Sequence, residues 1–151
     1  MNTAPIVHDR FTIERFYEAS AAEVFEAWSD PSLKARWFIG PPGWREVRRE
    51  LDFRIGGEEV LEGRFDNGQT RFVARYYEIV ADARIAYVYD MQLNGRHHSL
   101  SLATVELIPT RGATKLVFTE QVAFFDGTAG SAPREHGTAE HLDRIAAVLR
   151  R

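Results

Sequence analysis

The C-terminal stretch from Arg134 to Arg151 most constrains how this chain can fold, because it has the periodicity of an amphipathic helix. At 3.6 residues per turn, one stripe of that helix carries most of its apolar side chains. The members of the stripe are Thr138, His141, Leu142, Ile145, Val148 and Leu149. Such a helix at the end of a strand-rich chain needs a concave sheet to cover its apolar face. The sequence therefore predicts a helix and a sheet that enclose an interior, with the polar Thr138 and His141 on the enclosed side.

The chain before this helix predicts one strand, two short helices and a series of strands. Residues 11–16 alternate as a strand does, and Ser20 followed by Glu23 has the form of a capping box that opens a helix. Asp30 and Pro31 then cap a second helix. A Gly-Pro loop over residues 39–43 follows, because such a segment fits neither a helix nor a central strand.

From Arg45 to Leu107 the hydrophobic pattern has a period of two, which is typical of strands. In residues 45–55 the even positions are charged and the odd positions form the inward face. If no bulge intervenes, Arg45 and Arg49 share that inward face. This is an unusual place for charged groups, which are rarely buried without a partner.

Asn67-Gly68 gives the strongest hairpin signal in the chain, since a type I′ turn needs positive φ at both central residues. With these two residues at the centre of the turn, Phe65 pairs with Thr70 and Glu59 pairs with Tyr76. This register predicts that Glu59 and Tyr76 face the interior.

The later strands add further inward side chains. The bulky face of residues 84–91 includes Tyr87 and Tyr89, and the inward set of residues 114–122 includes Phe118 and Glu120. Aromatic residues also flank the Gly-Pro loop, where they fit a cavity entrance as well as a core. These residues are Trp37, Phe38 and Trp44.

The composition argues against several classes of function. The chain has no cysteine, which excludes disulfides, thiolate catalysis and cysteine-ligated zinc. A net charge of −3 argues against nucleic acid as a partner, since phosphate binding depends on clustered Lys and Arg. The N-terminus has no basic segment followed by an apolar one, and no run of about 18 apolar residues occurs. We therefore expect no membrane partner and a cytoplasmic location.

The histidines and the known short motifs predict neither a metal site nor a cofactor. His97 and His98 are adjacent in a predicted strand and so point to opposite faces, which prevents them from sharing one ion. The chain lacks His-Glu-x-x-His, Gly-x-Ser-x-Gly and the phosphate-binding loop. We therefore expect no bound metal and no cofactor.

Four segments have an order and spacing that together are characteristic of one family. They are Trp37-Phe38, Asp52-Phe53-Arg54-Ile55-Gly56-Gly57, Tyr76-Tyr77-Glu78-Ile79 with Arg84-Ile85 behind it, and His141-Leu142-Asp143-Arg144-Ile145. With these segments the chain resembles the AHSA1-like (activator of Hsp90 ATPase homologue-like) branch of the START/Bet v 1 (SRPBCC) superfamily. The similarity extends over roughly residues 11–150.

The resemblance implies an α+β helix-grip fold, in which a curved antiparallel sheet of about seven strands wraps a long C-terminal helix. Two short helices after strand 1 close one end, and a cavity lies between the helix and the sheet. Residues 11–151 then form a single domain, and we expect residues 1–10 to be a flexible tail. Relatives often carry Trp where this chain has Thr138, which predicts additional room inside.

These patterns favour a protein that binds a small hydrophobic or aromatic molecule in that cavity. The predicted ligand-binding residues combine apolar walls with polar groups. They are Trp37, Phe38, Trp44, Arg45, Arg49, Glu59, Tyr76, Tyr87, Tyr89, Phe118, Glu120, Thr138, His141, Leu142 and Ile145. The sequence leaves a homodimer open.

Two other functions stay open alongside ligand binding. The first is a cyclase-like or hydrolase-like reaction on a hydrophobic substrate, with His141 or Glu120 as general acid or base. The competing interpretation places His141 at the cavity rim and pairs Glu120 with Arg45 or Arg49, because a buried charge needs a partner. The second is a role as an Hsp90 co-chaperone partner, which rests on the family resemblance.

Overall fold

Seven antiparallel strands form one curved sheet in a computed structural model of the protein, which describes residues 3–150. The strands are β1 (Val7–Tyr17), β2 (Arg45–Leu51), β3 (Glu58–Phe65), β4 (Gly68–Val80), β5 (Arg84–Leu93), β6 (Arg96–Thr110) and β7 (Ala113–Phe124). The helices are α1 (Ala21–Ser29), α2 (Pro31–Trp37) and α3 (Ala132–Leu149). The strand order is β1-β7-β6-β5-β4-β3-β2, so α1 and α2 carry the chain from one edge of the sheet to the other. This is the helix-grip fold that the sequence predicts.

The two short helices form where their capping residues predict them. Ser20 and Glu23 make a reciprocal capping box at the start of α1, which satisfies backbone N–H groups that have no partner within the helix. The Asp30 carboxylate accepts from the backbone N–H groups of Ser32 and Leu33, and Pro31 occupies the first turn of α2. The capping thus fixes the bend between the helices, and α2 ends at Trp37, just before the Gly-Pro loop.

The inward stripe of α3 covers the sheet as its periodicity predicts. Leu142, Ile145 and Val148 are buried and belong to the same core cluster as Phe118 of β7. His141 is only partly exposed, whereas the adjacent Glu140 is exposed. The apolar stripe and the sheet therefore form one core, with polar groups at the N-terminal half of the helix.

The first strand corrects the prediction of a flexible tail over residues 1–10. β1 begins at Val7, which pairs with Phe124 of β7, so residues 7–10 belong to the sheet. The Asp9 carboxylate also accepts hydrogen bonds from the backbone N–H and the hydroxyl of Ser131, both at 2.8 Å. The strand is longer than its apolar pattern because β7 supplies partners along its whole length. Residues 1–2 of the predicted tail, and residue 151, lie outside the described residues.

The β3–β4 hairpin has a different register from the predicted one. Phe65 pairs with Gly68 and Glu59 pairs with Ala74, so the predicted pairs are wrong by two positions. Since the shift is even, the same side chains still face the interior. Positive φ at two consecutive residues occurs instead at Asn94 and Gly95, with φ of 54° and 75°, in the β5–β6 turn.

Candidate functional site

A cavity of about 420 Å³ lies between α3, the sheet and the loop that follows α2. α3 contributes Arg134, Thr138 and His141 to its wall, and the loop contributes Ile39 and Gly40. The remainder of its wall is largely aromatic. The rings that line it belong to Trp28, Trp37, Phe38, Trp44, Phe65, Phe72, Tyr87, Tyr89 and Phe118. This size and lining suit a small apolar or aromatic molecule.

One polar cluster on the wall is centred on Glu120, which is 1% exposed. Its Oε2 accepts hydrogen bonds from the Tyr89 hydroxyl at 2.7 Å, the Ser101 hydroxyl at 2.8 Å and the Arg134 guanidinium at 2.9 Å. Arg134 also donates to the Ser99 hydroxyl at 2.7 Å. Burial raises the pKa of the Tyr89 hydroxyl, which therefore stays a neutral donor to the carboxylate. The second oxygen of Glu120, Oε1, has no hydrogen-bond partner within residues 3–150.

The partner of Glu120 corrects one sequence interpretation. The carboxylate pairs with Arg134 at the start of α3, and not with Arg45 or Arg49. Arg134 is a site residue that was not among those predicted from the sequence. The signal was its spacing, since Arg134 precedes Thr138 by four residues and therefore shares the inward face of the helix.

A second polar cluster contains Lys34, which was also not among the residues predicted from the sequence. The Lys34 ammonium donates to Glu59 Oε1 at 2.8 Å and to the Tyr76 hydroxyl at 3.3 Å, and that hydroxyl donates to the same carboxylate oxygen at 2.7 Å. Both charged side chains are 3% exposed. The available signal was the position of Lys34 three residues before Trp37 in a short helix, which places both on one face.

His141 lies between the aromatic wall and the loop after α2. Its Nε2 is 2.8 Å from the carbonyl oxygen of Ile39, so Nε2 carries the proton and donates it. The ring contacts Phe38 and Trp37 edge-on, with centroids 5.3 and 6.5 Å away. Burial lowers the pKa of His141 to about 4, and the imidazole is therefore neutral at pH 7.

Most of the predicted ligand-binding side chains lie on the cavity wall. Those that the structure places there are Trp37, Phe38, Trp44, Tyr87, Tyr89, Phe118, Glu120, Thr138, His141 and Leu142. Three others are buried outside the wall: Glu59 and Tyr76 lie behind Lys34, and Ile145 is in the core below the cavity.

The two arginines of β2 do not share an inward face. A bulge between Glu46 and Arg48 shifts the register, so the alternation read from the sequence breaks at that point. Arg45 is exposed and pairs with Asp66 at 3.1 Å, which makes the prediction of an inward Arg45 wrong. Arg49 is partly buried outside the cavity wall, where it donates to the carbonyl oxygen of Phe38 at 2.8 Å.

The remaining histidines do not assemble a metal site in the part of the chain that the structure describes. No group of three or more metal-ligating side chains occurs in residues 3–150. His98 contacts Asp126 at 2.6 Å, whereas His97 contacts Asp90 at 2.9 Å. No helix within the same residues is long and apolar enough to cross a bilayer.

A curved antiparallel sheet around a C-terminal helix, with an aromatic cavity between them, defines a protein of the helix-grip class. The family model described as "Activator of Hsp90 ATPase homolog 1-like protein" matches residues 18–150, and the chain belongs to this AHSA1-like family of the SRPBCC superfamily. No curated protein matches the sequence. Proteins with this fold commonly bind hydrophobic ligands.

Solved structures of similar proteins support the same assignment. A protein from Rhizobium loti is 40% identical over 95% of this chain and 99% of its own, with a TM-score of 0.87. A putative uncharacterised protein from Rhizobium leguminosarum is 40% identical over 97% of both chains, with a TM-score of 0.91. An AHSA1-like protein from Aeromonas hydrophila shares the fold at 20% identity over 93% of this chain and 92% of its own, with a TM-score of 0.69.

Proposed function

We propose that this protein binds a small apolar or aromatic molecule in the cavity between α3 and the sheet. The observation that carries the proposal is a cavity of about 420 Å³ whose largely aromatic wall also carries the polar side chains of His141 and Arg134. Aromatic rings combined with a few polar groups around a volume of this size are typical of small-molecule sites.

The contacts of His141 and Glu120 argue against a general acid at either side chain, which is one part of the enzymatic alternative. A general acid needs a proton that it can donate to the substrate. His141 donates its Nε2 proton to the carbonyl oxygen of Ile39, and one carboxylate oxygen of Glu120 accepts three hydrogen bonds from protein groups. These partners support a role in orienting a ligand.

The co-chaperone alternative has no comparable support, because an internal cavity says nothing about a protein surface for Hsp90. Stimulation of a cognate Hsp90 ATPase by the purified protein is its direct test. The homodimer and the cytoplasmic location stay predictions.

Replacing Thr138 with Trp tests the proposed site. Thr138 lines the cavity and is partly buried, so an indole there would occupy volume that a ligand needs. We expect wild-type protein to bind 1-anilinonaphthalene-8-sulfonate saturably, and Thr138→Trp to weaken that binding at least about tenfold. The added apolar contact should also raise the free energy of unfolding by about 1 kcal/mol. Fluorescence titration and urea unfolding measure the two effects.

Ala147→Trp is the matched control, because Ala147 is exposed on the other side of the same helix. It adds the same side chain and should leave dye affinity unchanged. If Thr138→Trp bound the dye as tightly as the wild type, the binding site would lie elsewhere. Native mass spectrometry of protein purified from its own host would then show whether a natural ligand is retained.

A further inference from the structure

Lys34 is one of only two lysines in the chain, and its surroundings differ from those of a surface lysine. It lines the cavity although its side chain is only 3% exposed. Lys115, the other lysine, lies on β7 with 29% of its side chain exposed, 3.3 Å from Glu14. The two amines therefore allow a comparison within one molecule.

Aromatic rings surround the Lys34 amine. Its Nζ lies 5.0 to 6.0 Å from five ring centroids, which are those of Phe38, Trp28, Trp37, Tyr76 and Tyr87. All of them except Tyr76 also line the cavity, which places the amine at the cavity wall. The rings largely exclude water from the Lys34 nitrogen. They also provide an apolar surface on which a ligand can lie beside it.

Glu59 and Tyr76 supply the groups that an amine needs to react. The Glu59 carboxylate lies 2.8 Å from Nζ and is within reach of a proton released there. The Tyr76 hydroxyl connects to the same carboxylate at 2.7 Å. Burial lowers the pKa of Lys34, with the negative charge of Glu59 opposing that effect. A lower pKa increases the share of the neutral amine, which is the nucleophilic form.

We propose that Lys34 forms a Schiff base with apolar aldehydes or ketones that enter the cavity. This inference rests on the proposed function, since the carbonyl compound must first bind among the aromatic rings. It assigns a ligand class, apolar carbonyl compounds, and a covalent site to the cavity.

The chemistry uses only the groups already described and one carbonyl compound. The nitrogen lone pair attacks the carbonyl carbon, the C=O π electrons move to oxygen, and Glu59 accepts a proton from nitrogen. Glu59 returns that proton to the oxygen, which gives the carbinolamine. The nitrogen lone pair then forms the C=N bond as the hydroxyl leaves, and the second nitrogen hydrogen, passed through Glu59, completes the departing water. Nitrogen loses two hydrogens, which leave with the carbonyl oxygen as water, so no oxidant or reductant is required.

Reductive trapping tests the proposal on the wild-type protein. The protein is incubated with 2-naphthaldehyde and sodium cyanoborohydride, which reduces the imine to a stable secondary amine, and modified peptides are quantified by mass spectrometry. We expect Lys34 to be modified at least about tenfold faster than Lys115, despite its burial. Glyceraldehyde, which is polar, should reverse this preference. Equal or slower modification of Lys34 by 2-naphthaldehyde would overturn the proposal.

Two variants test whether the aldehyde reaches Lys34 through the cavity. Thr138→Trp should slow trapping at Lys34 and leave Lys115 unchanged, whereas Lys115→Arg should leave trapping at Lys34 unchanged. Undiminished trapping at Lys34 in Thr138→Trp would show that the amine is reached by another route and would overturn the proposal. Wild-type protein that binds 1-anilinonaphthalene-8-sulfonate but is not trapped at Lys34 would refute the Schiff base alone. Failure of both experiments would refute the binding function as well.

Discussion

Arg134 shows how one side chain can hold a buried charge beside a cavity. Its side chain is 15% exposed and it provides the cation for Glu120, whose carboxylate is almost fully buried. Replacing it with Met keeps much of the apolar stem but leaves that carboxylate without its counter-charge. We expect Arg134→Met to lower the free energy of unfolding by about 3 kcal/mol, as is typical when one partner of a buried pair is removed. Urea unfolding measures the loss.

Arg15→Met is the matched surface control for that measurement. Arg15 pairs with Asp143 at 2.7 Å, but the two side chains are 32% and 65% exposed. Exposed pairs contribute about 0–1 kcal/mol, so this variant should be close to wild type. Similar losses for the two variants would contradict the assignment of a buried pair.

His141 should make stability depend on pH. Its pKa is lowered from 6.5 in the unfolded chain to about 4 in the folded protein, mainly because burial disfavours the charged ring. Between these values the unfolded state binds the proton more tightly. The contribution of the neutral His141 ring to the free energy of unfolding is therefore fully present above about pH 6.5. It declines as the pH falls toward 4, by up to about 3 kcal/mol. Urea unfolding across this range should show a shallower decline for His141→Gln than for the wild type.

His136→Gln serves as the control for the pH experiment. His136 is on the same helix, but its side chain is 78% exposed, and it pairs with Glu140 at the surface. Its replacement should leave the pH profile of the wild type intact. An identical decline in His141→Gln and the wild type would mean that other groups cause it.

At the scale of the elements, β3 is shaped to let the loop after α2 lie against it. Gly63 of β3 faces the Trp44 indole, which donates from Nε1 to the Thr70 hydroxyl at 3.0 Å. A Cβ atom at Gly63 would overlap that indole. Gly63→Ala should therefore displace Trp44 from the cavity wall, lower stability by about 1–3 kcal/mol and shift tryptophan fluorescence.

Gly137→Ala gives the opposite expectation within α3. A Cβ atom there meets nothing within 4 Å, and Ala is preferred over Gly inside a helix by about 0.5–1 kcal/mol. This variant should be slightly more stable and keep the wild-type fluorescence. A loss of stability equal to that of Gly63→Ala would show that packing at Trp44 is not the cause.

The elements themselves were largely predictable, because their signals are local. The alternation that placed Leu116, Phe118 and Glu120 inward depends only on the period of an extended backbone, and all three are buried. The hairpin register was not predictable, because a contact outside the hairpin helps to fix it. The Gln69 N–H donates to the Asn94 side chain at 2.8 Å, which ties this turn to the next one.

At the scale of the whole molecule, the fold and the family followed from the sequence, but the polar partners of the cavity did not. Lys34 on α2 pairs with Glu59 on β3, and Arg134 on α3 pairs with Glu120 on β7, so each pair meets only in the folded structure. No periodicity relates such residues along the chain. The position of a wall can therefore be predicted from a pattern, whereas the pairing of charges within it requires the folded geometry.

The strand order also has a consequence for association between molecules. A sheet that does not close into a barrel leaves two edge strands with unpaired backbone groups, here β1 and β2. β2 is only seven residues long, is bent by the bulge after Glu46 and carries exposed charges such as Arg48 and Glu50. A strand of another copy that approached this edge would meet a short, kinked and charged template, which discourages the strand addition from which fibres grow.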